Sequence, residues 1–134
     1  MRITIHTDGG SRGNPGPSAS GAVLKDAHGN VLAEISKYLG MTTNNQAEYT
    51  AIVLGLEKAR ELGAKDIRVF MDSELAVRQL AGIYRVKNPE LAKRFLEVKN
   101  LIHAFDRVEF SHVPREKNKE ADALVNRALD ANVL

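Results

Sequence analysis

Cysteine is absent from this chain, and its absence excludes a disulfide framework and thiolate metal sites. No apolar run approaches the ~18 residues of a membrane span, and no signal-peptide pattern opens the sequence. A cytoplasmic location is the default expectation. Internal repeats, low-complexity tracts and linkers are also missing, so residues 1–134 read as a single domain. Neither sign of charge dominates. The net charge is +2 and the pI near 9.0, which permits a polyanionic partner without demanding one. What is present is 43% hydrophobic and 27% charged residues, a soluble globular profile.

The opening residues Met1 to Thr7 alternate and are rich in β-branched side chains, so they predict a strand that ends at Asp8. The glycines and prolines of Asp8-Gly9-Gly10-Ser11-Arg12-Gly13-Asn14-Pro15-Gly16-Pro17 predict a turn. Ser18 to Lys25 and Val31 to Leu39 read as second and third strands, and the short turn between them implies antiparallel pairing. After a break at residues 40–45, a helix runs to about Leu62, started by the capping-box spacing of Thr43 and Gln46 and ended by Gly63. Asp66 to Met71 predicts a fourth strand, and a short helix runs from Glu74 to about Ala81. A loop over residues 82–89 leads to a helix from about Glu90 to His103, with Leu91, Phe95, Val98 and Ile102 as its apolar stripe. Arg107 to His112 is a fifth strand, and a last helix runs from about Asn118 to Ala131. Helical crossovers make the fourth and fifth strands parallel to the first. The expected class is therefore α/β.

Four acidic residues occupy comparable places in this scheme. Asp8 and Asp72 end parallel strands, where open α/β sheets keep their sites. Glu48 shares a helix face with Ala51, Ile52, Gly55, Ala59 and Leu62, so its charge points inward at one end of a buried stripe. Asp122 lies at the edge of the apolar stripe of the last helix. Each has a plainer reading. Asp8 can cap a turn through its own backbone, Asp72 can be a helix N-cap, and Glu48 can serve a capping box from Asn45 or the helix dipole. Together, four converging carboxylates without partners repel one another. As hard oxygen ligands they suit Mg²⁺ or Mn²⁺. Two such ions about 3.5–4 Å apart can activate water and stabilise the leaving oxygen in phosphodiester hydrolysis.

Thr7-Asp8-Gly9-Gly10-Ser11-Arg12-Gly13-Asn14-Pro15-Gly16-Pro17, Thr43-Asn44-Asn45-Gln46-Ala47-Glu48, Met71-Asp72-Ser73 and Asn118-Lys119-Glu120-Ala121-Asp122 resemble the four motifs of type 1 ribonuclease H, in the family's order and over nearly the whole chain. The resemblance implies a ribonuclease H-like fold, a five-stranded mixed sheet with helices on both faces. It implies endonucleolytic hydrolysis of the RNA strand of an RNA–DNA hybrid, leaving 5′-phosphate and 3′-hydroxyl ends. It gives Asp8, Glu48, Asp72 and Asp122 the task of holding two Mg²⁺ ions, with Mn²⁺ as a substitute. It places the backbone of Gly9, Gly10 and Ser11 against the RNA. Asn14, Asn45, Glu48 and Glu74 fall where the family senses RNA 2′-hydroxyls, and Asn44 stands in the same substrate-binding motif. Thr43 and Asn14 would help hold a DNA phosphate. No membrane, no obligatory protein partner and a monomer complete the expectation.

Three departures stand out. Many relatives carry a histidine in a flexible loop before the last helix. Here that loop is Val113-Pro114-Arg115-Glu116-Lys117, which lacks one. His112 reads as part of the preceding strand, and Arg115 is the candidate to contact a phosphate instead. Tryptophan is absent from the chain, whereas some relatives have a Trp-rich basic protrusion. Tyr84, Arg85 and Lys87 are the candidates for a reduced DNA-strand surface that joins stacking to phosphate contact. Glu74 stands where Gln is frequent and can only accept hydrogen bonds. His6, His28 and His103 read as structural or surface residues. Two other readings remain open: a non-catalytic hybrid-binding module, and a broader nuclease that also cuts double-stranded RNA.

Overall fold

The computed structural model describes residues 1–133. Five strands form one mixed sheet: β1 (Arg2–Ser11), β2 (Gly16–Lys25), β3 (Val31–Thr42), β4 (Asp66–Met71) and β5 (Arg107–His112), in spatial order β3-β2-β1-β4-β5. Antiparallel pairing joins β1, β2 and β3, and β4 and β5 run parallel to β1. The helices are α1 (Asn44–Glu61), α2 (Glu74–Leu80), α3 (Pro89–Ile102) and α4 (Lys119–Asn132). Among the described residues, none of them is long and apolar enough to cross a membrane.

The two faces of the sheet are unequal. On one, Ile3 and Ile5 of β1 and Ile67 and Val69 of β4 meet Ile52, Leu56 and Ala59 of α1, with Leu91 and Val98 of α3 closing the layer. Each fully buried Ile, Leu or Val side chain among them contributes roughly 1.5–3 kcal/mol, so this layer is the principal core. On the other face α4 packs Val125, Ala128 and Leu129 against Ala19 of β2 in a smaller cluster.

Several boundaries differ from the sequence expectation, and glycine chemistry accounts for most of them. Strand β1 does not stop at Asp8. Gly9, Gly10 and Ser11 continue it by pairing with Ser20, Ala19 and Ser18 of β2, so β2 also begins earlier, at Gly16. These glycines answer a packing demand rather than a turn: a Cβ on Gly9 would lie 2.3 Å from the Ala47 carbonyl carbon and the Glu48 nitrogen of α1. Strand β3 runs to Thr42 because Gly40, at φ +79°, sits in a bulge opposite Ser18 and does not break the strand. Pro89 takes the first turn of α3, with Asn88 as N-cap, its Oδ1 accepting from the Glu90 and Leu91 N–H groups at 2.8 and 3.1 Å. The segment before α4 holds a 3₁₀ turn, Arg115–Lys117, and α4 itself opens at Lys119.

Candidate active site

Strand β4 leaves the sheet one residue after its last parallel pair with β1, Thr7↔Met71. Asp72 therefore stands beside Asp8, where the parallel pairing of β1 with β4 ends. The alternative that Asp72 caps α2 is not realised. Ser73 is the N-cap, its Oγ accepting from the Ala76 N–H at 3.2 Å, and the Asp72 carboxylate is left for other work.

Glu48 reaches the same rim through α1. Thr43 caps that helix, its Oγ1 accepting from the Gln46 N–H at 3.2 Å. Glu48 is thus past the open N–H groups of the first turn and is not a capping-box acceptor. The bare Gly9 lets the start of α1 lie against β1, and the Ser20 hydroxyl donates to the Ala47 carbonyl at 2.6 Å to hold it there. The Tyr49 hydroxyl and Gln79 of α2 meet at 2.7 Å in the core, so the helix that carries Glu48 is tied to the helix that starts after Asp72.

Asp122 arrives from the other face. Gly21, which pairs with Asp8, has no room for a Cβ, which would lie 2.5 Å from the Ala121 carbonyl. Helix α4 therefore begins in contact with β2. Buried Asn118 donates from Nδ2 to the Thr7 carbonyl at 2.8 Å, fastening the entry of α4 to the residue before Asp8.

Carboxylate oxygens of Asp8, Glu48 and Asp72 lie within 4.8 Å of one another. Asp122 is outside that tightest group but lines the same cleft of about 470 Å³, and Asn126 Nδ2 donates to its Oδ2 at 3.3 Å. Asp8 is only 9% exposed. Burial above all, then the charge of Asp72 and a hydrogen bond with the Asp122 carboxyl, push its pKa up to about 8. Burial raises Glu48 to about 7, partly opposed by a hydrogen bond from Ser73 and assisted by Asp72. Carboxyls that hold protons this far above their ordinary range lack a positive partner. Hard oxygen donors in this number fit a divalent cation such as Mg²⁺ or Mn²⁺, and no thiolate or imidazole competes within the group.

A protein-family profile described as Reverse transcriptase-like matches residues 6–128. The chain is 43% identical over 129 residues to ribonuclease HI of Halobacterium salinarum, covering 96% of this chain and 65% of that protein. It is 31% identical over 147 residues to ribonuclease H of Chlorobium limicola, covering 98% and 97%. It belongs to the type 1 ribonuclease H family. A 46% identical relative, a bifunctional protein of Mycobacterium tuberculosis, is longer, and the chain spans 36% of its length. Among solved structures, ribonuclease H1 of Halobacterium salinarum superimposes with a TM-score of 0.95 at 43% identity, covering 98% of this chain and 99% of that one. LC11-RNase H1 in complex with an RNA/DNA hybrid does so with a TM-score of 0.93 at 45% identity, with the same coverage of both chains.

Within this ribonuclease H fold the other sequence candidates fall into separate places. Gly9, Gly10, Ser11, Asn44 and Arg115 line the cleft of the carboxylates. Asn14, Thr43 and Asn45 line a second hollow with Asn88 and Leu91, and Asn14 Oδ1 accepts from the Asn44 N–H at 3.1 Å, joining the two. Glu74 is not among the residues lining the cleft; its carboxylate accepts from Arg78 at 2.7 Å and lies near His112. Tyr84, Arg85 and Lys87 are exposed on the connection between α2 and α3, with Arg78 5.6 Å from the Tyr84 ring. His112 ends β5 as expected and is exposed. Arg12 and Asn126 also line the cleft although the sequence reading assigned them no role. The signal for Asn126 is its spacing of four residues from Asp122, which puts both on one face of a helix.

Proposed function

We propose that this chain is an endoribonuclease that hydrolyses the RNA strand of RNA–DNA hybrids, using two Mg²⁺ ions and leaving 5′-phosphate and 3′-hydroxyl ends. The observation that carries the proposal is the gathering of Asp8, Glu48 and Asp72 oxygens within 4.8 Å at the strand ends, with Asp122 on the same cleft. Those four side chains would hold the ions, with Mn²⁺ able to substitute. Bound there, the metal would supply a nucleophilic water at neutral pH and neutralise charge on the phosphate and the leaving oxygen. The relative LC11-RNase H1, solved with a hybrid bound, supports the choice of substrate.

The remaining residues bind and orient. The backbone of Gly9 and Gly10, which lines the cleft beside Asp8, faces the RNA, and Ser11 extends that edge. Asn44 and Asn45, at the start of α1, and Asn14 hold polar groups toward the RNA side, where a 2′-hydroxyl distinguishes the substrate from DNA. Glu74 takes part in that sensing only after exchanging Arg78 for substrate. Thr43 and Asn14, in the second hollow, suit a phosphate of the DNA strand. Tyr84, Arg85 and Lys87 offer an aromatic face and two cations to the same strand. Arg115, at the cleft, supplies a fixed positive charge to a phosphate near the site of cleavage, where the expected loop histidine is missing. The enzyme works as a monomer in the cytoplasm, where such hybrids arise.

Three end-labelled substrates test the proposal: a hybrid, an RNA duplex and a DNA duplex, each with and without Mg²⁺. Cleavage of the hybrid's RNA strand only with metal is the expected result. Binding without cleavage would make the chain a hybrid-binding module, and equal cleavage of the RNA duplex would make it a broader nuclease.

A further inference from the structure

The cleft that holds the carboxylates has a second end, and one helix face connects the two. Asp122, Asn126 and Asp130 recur every four residues along α4, so their side chains form a single row. From Asp122 to Asp130 the helix rises about 12 Å. Asn126 bonds to Asp122 at the near end, and at the far end Arg12 Nη2 lies 2.5 Å from Asp130 Oδ1. Among the described residues, Arg12 and Arg115 are the cationic side chains that line the cleft.

The backbone of Arg12 is set firmly. Its N–H donates to the Pro17 carbonyl at 2.8 Å, closing the β1–β2 connection. Its own carbonyl is packed against Gly16, where a Cβ would lie 2.3 Å from that oxygen. The side chain, in contrast, is 41% exposed, and the Asp130 side chain is 69% exposed. An ion pair this open adds little to stability. Stability therefore gives little reason to keep it, and a polyanion entering the cleft can break it at small cost.

We propose that Arg12 binds a phosphate of the RNA strand at a distance from the cleaved bond, and that Asp130 is a competing carboxylate that holds the guanidinium until substrate displaces it. The inference rests on the hybrid-cleaving function proposed above. A single strand carries one phosphate per ~3.4 Å of duplex axis, so ~12 Å corresponds to roughly three phosphates. Arg12 stands on the edge that continues from Gly9, Gly10 and Ser11, so its phosphate belongs to the strand being cut. The planar guanidinium suits bidentate contact with phosphate oxygens, and Asp130 Oδ1 engages one arm of that fork, Nη2. Asp130 thus lowers hybrid affinity by charge competition, a role opposite to that of a stabilising partner.

Steady-state cleavage of a labelled hybrid tests this, across a range of salt, with the unmodified protein, Arg12→Ala, Arg12→Lys, Asp130→Asn and the Arg12→Ala/Asp130→Asn double variant. Arg12→Ala is expected to raise KM about fivefold, more than it changes kcat, and to reduce the salt slope by about one. Arg12→Lys should keep the slope. Asp130→Asn should lower KM, and this gain should disappear in the double variant. A methylphosphonate scan of the RNA strand should find one position, a few nucleotides from the cut, where neutralising the phosphate removes the Arg12→Ala effect. An unchanged KM and slope in Arg12→Ala, or a raised KM in Asp130→Asn with an unaltered melting temperature, overturns the inference while leaving hybrid cleavage standing. Failure of the unmodified protein to cleave any hybrid sinks the underlying function instead, and this inference with it.

Discussion

The acidic rim of the cleft and the cationic connections of the chain are built on opposite principles. Asp8, Glu48 and Asp122 sit on elements locked by backbone contact, with Gly9 against α1 and Gly21 against α4 leaving no space even for a methyl group. Arg12, Arg85, Lys87 and Arg115 are exposed on connections. The difference teaches that preorganisation is spent where charge is costly. Like carboxylates are held together against their own repulsion because the surrounding packing leaves them no other arrangement, and burial, assisted by that repulsion, pushes Asp8 up to about 8 and Glu48 to about 7. Cations that meet a long polyanion need reach more than rigidity.

The comparison breaks most sharply at Asp72. Asp72→Asn is expected to cut hybrid cleavage by about a thousandfold or more while the melting temperature holds or rises, since it removes a proposed metal ligand and a source of repulsion together. Cleavage assays paired with thermal melts check this, and normal activity at ordinary Mg²⁺ concentration would remove Asp72 from the metal-binding group.

Next is Gly9→Ala. The added Cβ would meet α1 backbone at 2.3 Å, so either the helix start moves or the chain fails to fold. We expect a loss of about 1–3 kcal/mol of stability, and activity in the folded fraction reduced because Glu48 has moved. A folded, fully active Gly9→Ala protein would show that the rim tolerates slack.

The cationic side should respond more gently. Arg85→Ala with Lys87→Ala is expected to weaken hybrid binding about tenfold, reduce the salt slope by one to two and leave the melting temperature within about a degree. Filter binding at several salt concentrations reads this, and an unchanged slope would move the DNA contact off the connection between α2 and α3.

The smallest effect is on stability against pH without metal. Asp8 and Glu48 have ordinary values of 3.8 and 4.5, and both are raised in the folded protein. Raised carboxyls stabilise the fold fully below those ordinary values, and the contribution is lost as pH climbs to about 8 and about 7. The metal-free melting temperature should therefore fall by several degrees between pH 5 and pH 8, less so in Asp8→Asn. Mg²⁺ should restore it mainly at the higher pH. Differential scanning calorimetry with a chelator and with Mg²⁺ checks both arms; equal metal stabilisation at the two pH values would speak against these carboxyls as its ligands.

Much of this was legible along the chain. The strand and helix order, the parallel placement of β4 and β5, and the inward position of Glu48 all follow from periodicity, because the alternation of strands and the 3.6-residue repeat of helices are local properties. Gly9 and Gly10 read as turn formers and Gly40 as a break, since a glycine demanded by a neighbouring helix or a bulge looks the same in sequence as one demanded by a turn. Arg12 carries no signal along the chain for a related reason. Its partner Asp130 is far along the chain, and no local pattern joins them.

The residue sequence alone decided which side chains can bind a hard cation, and which elements carry them, because composition and period are written residue by residue. The three-dimensional packing alone decided that three carboxylates would share one small volume, that Glu74 would turn to Arg78, and that Arg12 would be held at the far end of the cleft. The physical reason is that distance between remote residues is set by how closely backbones approach, at Gly9 and Gly21 above all, and close approach is a property of the pair of elements rather than of either one.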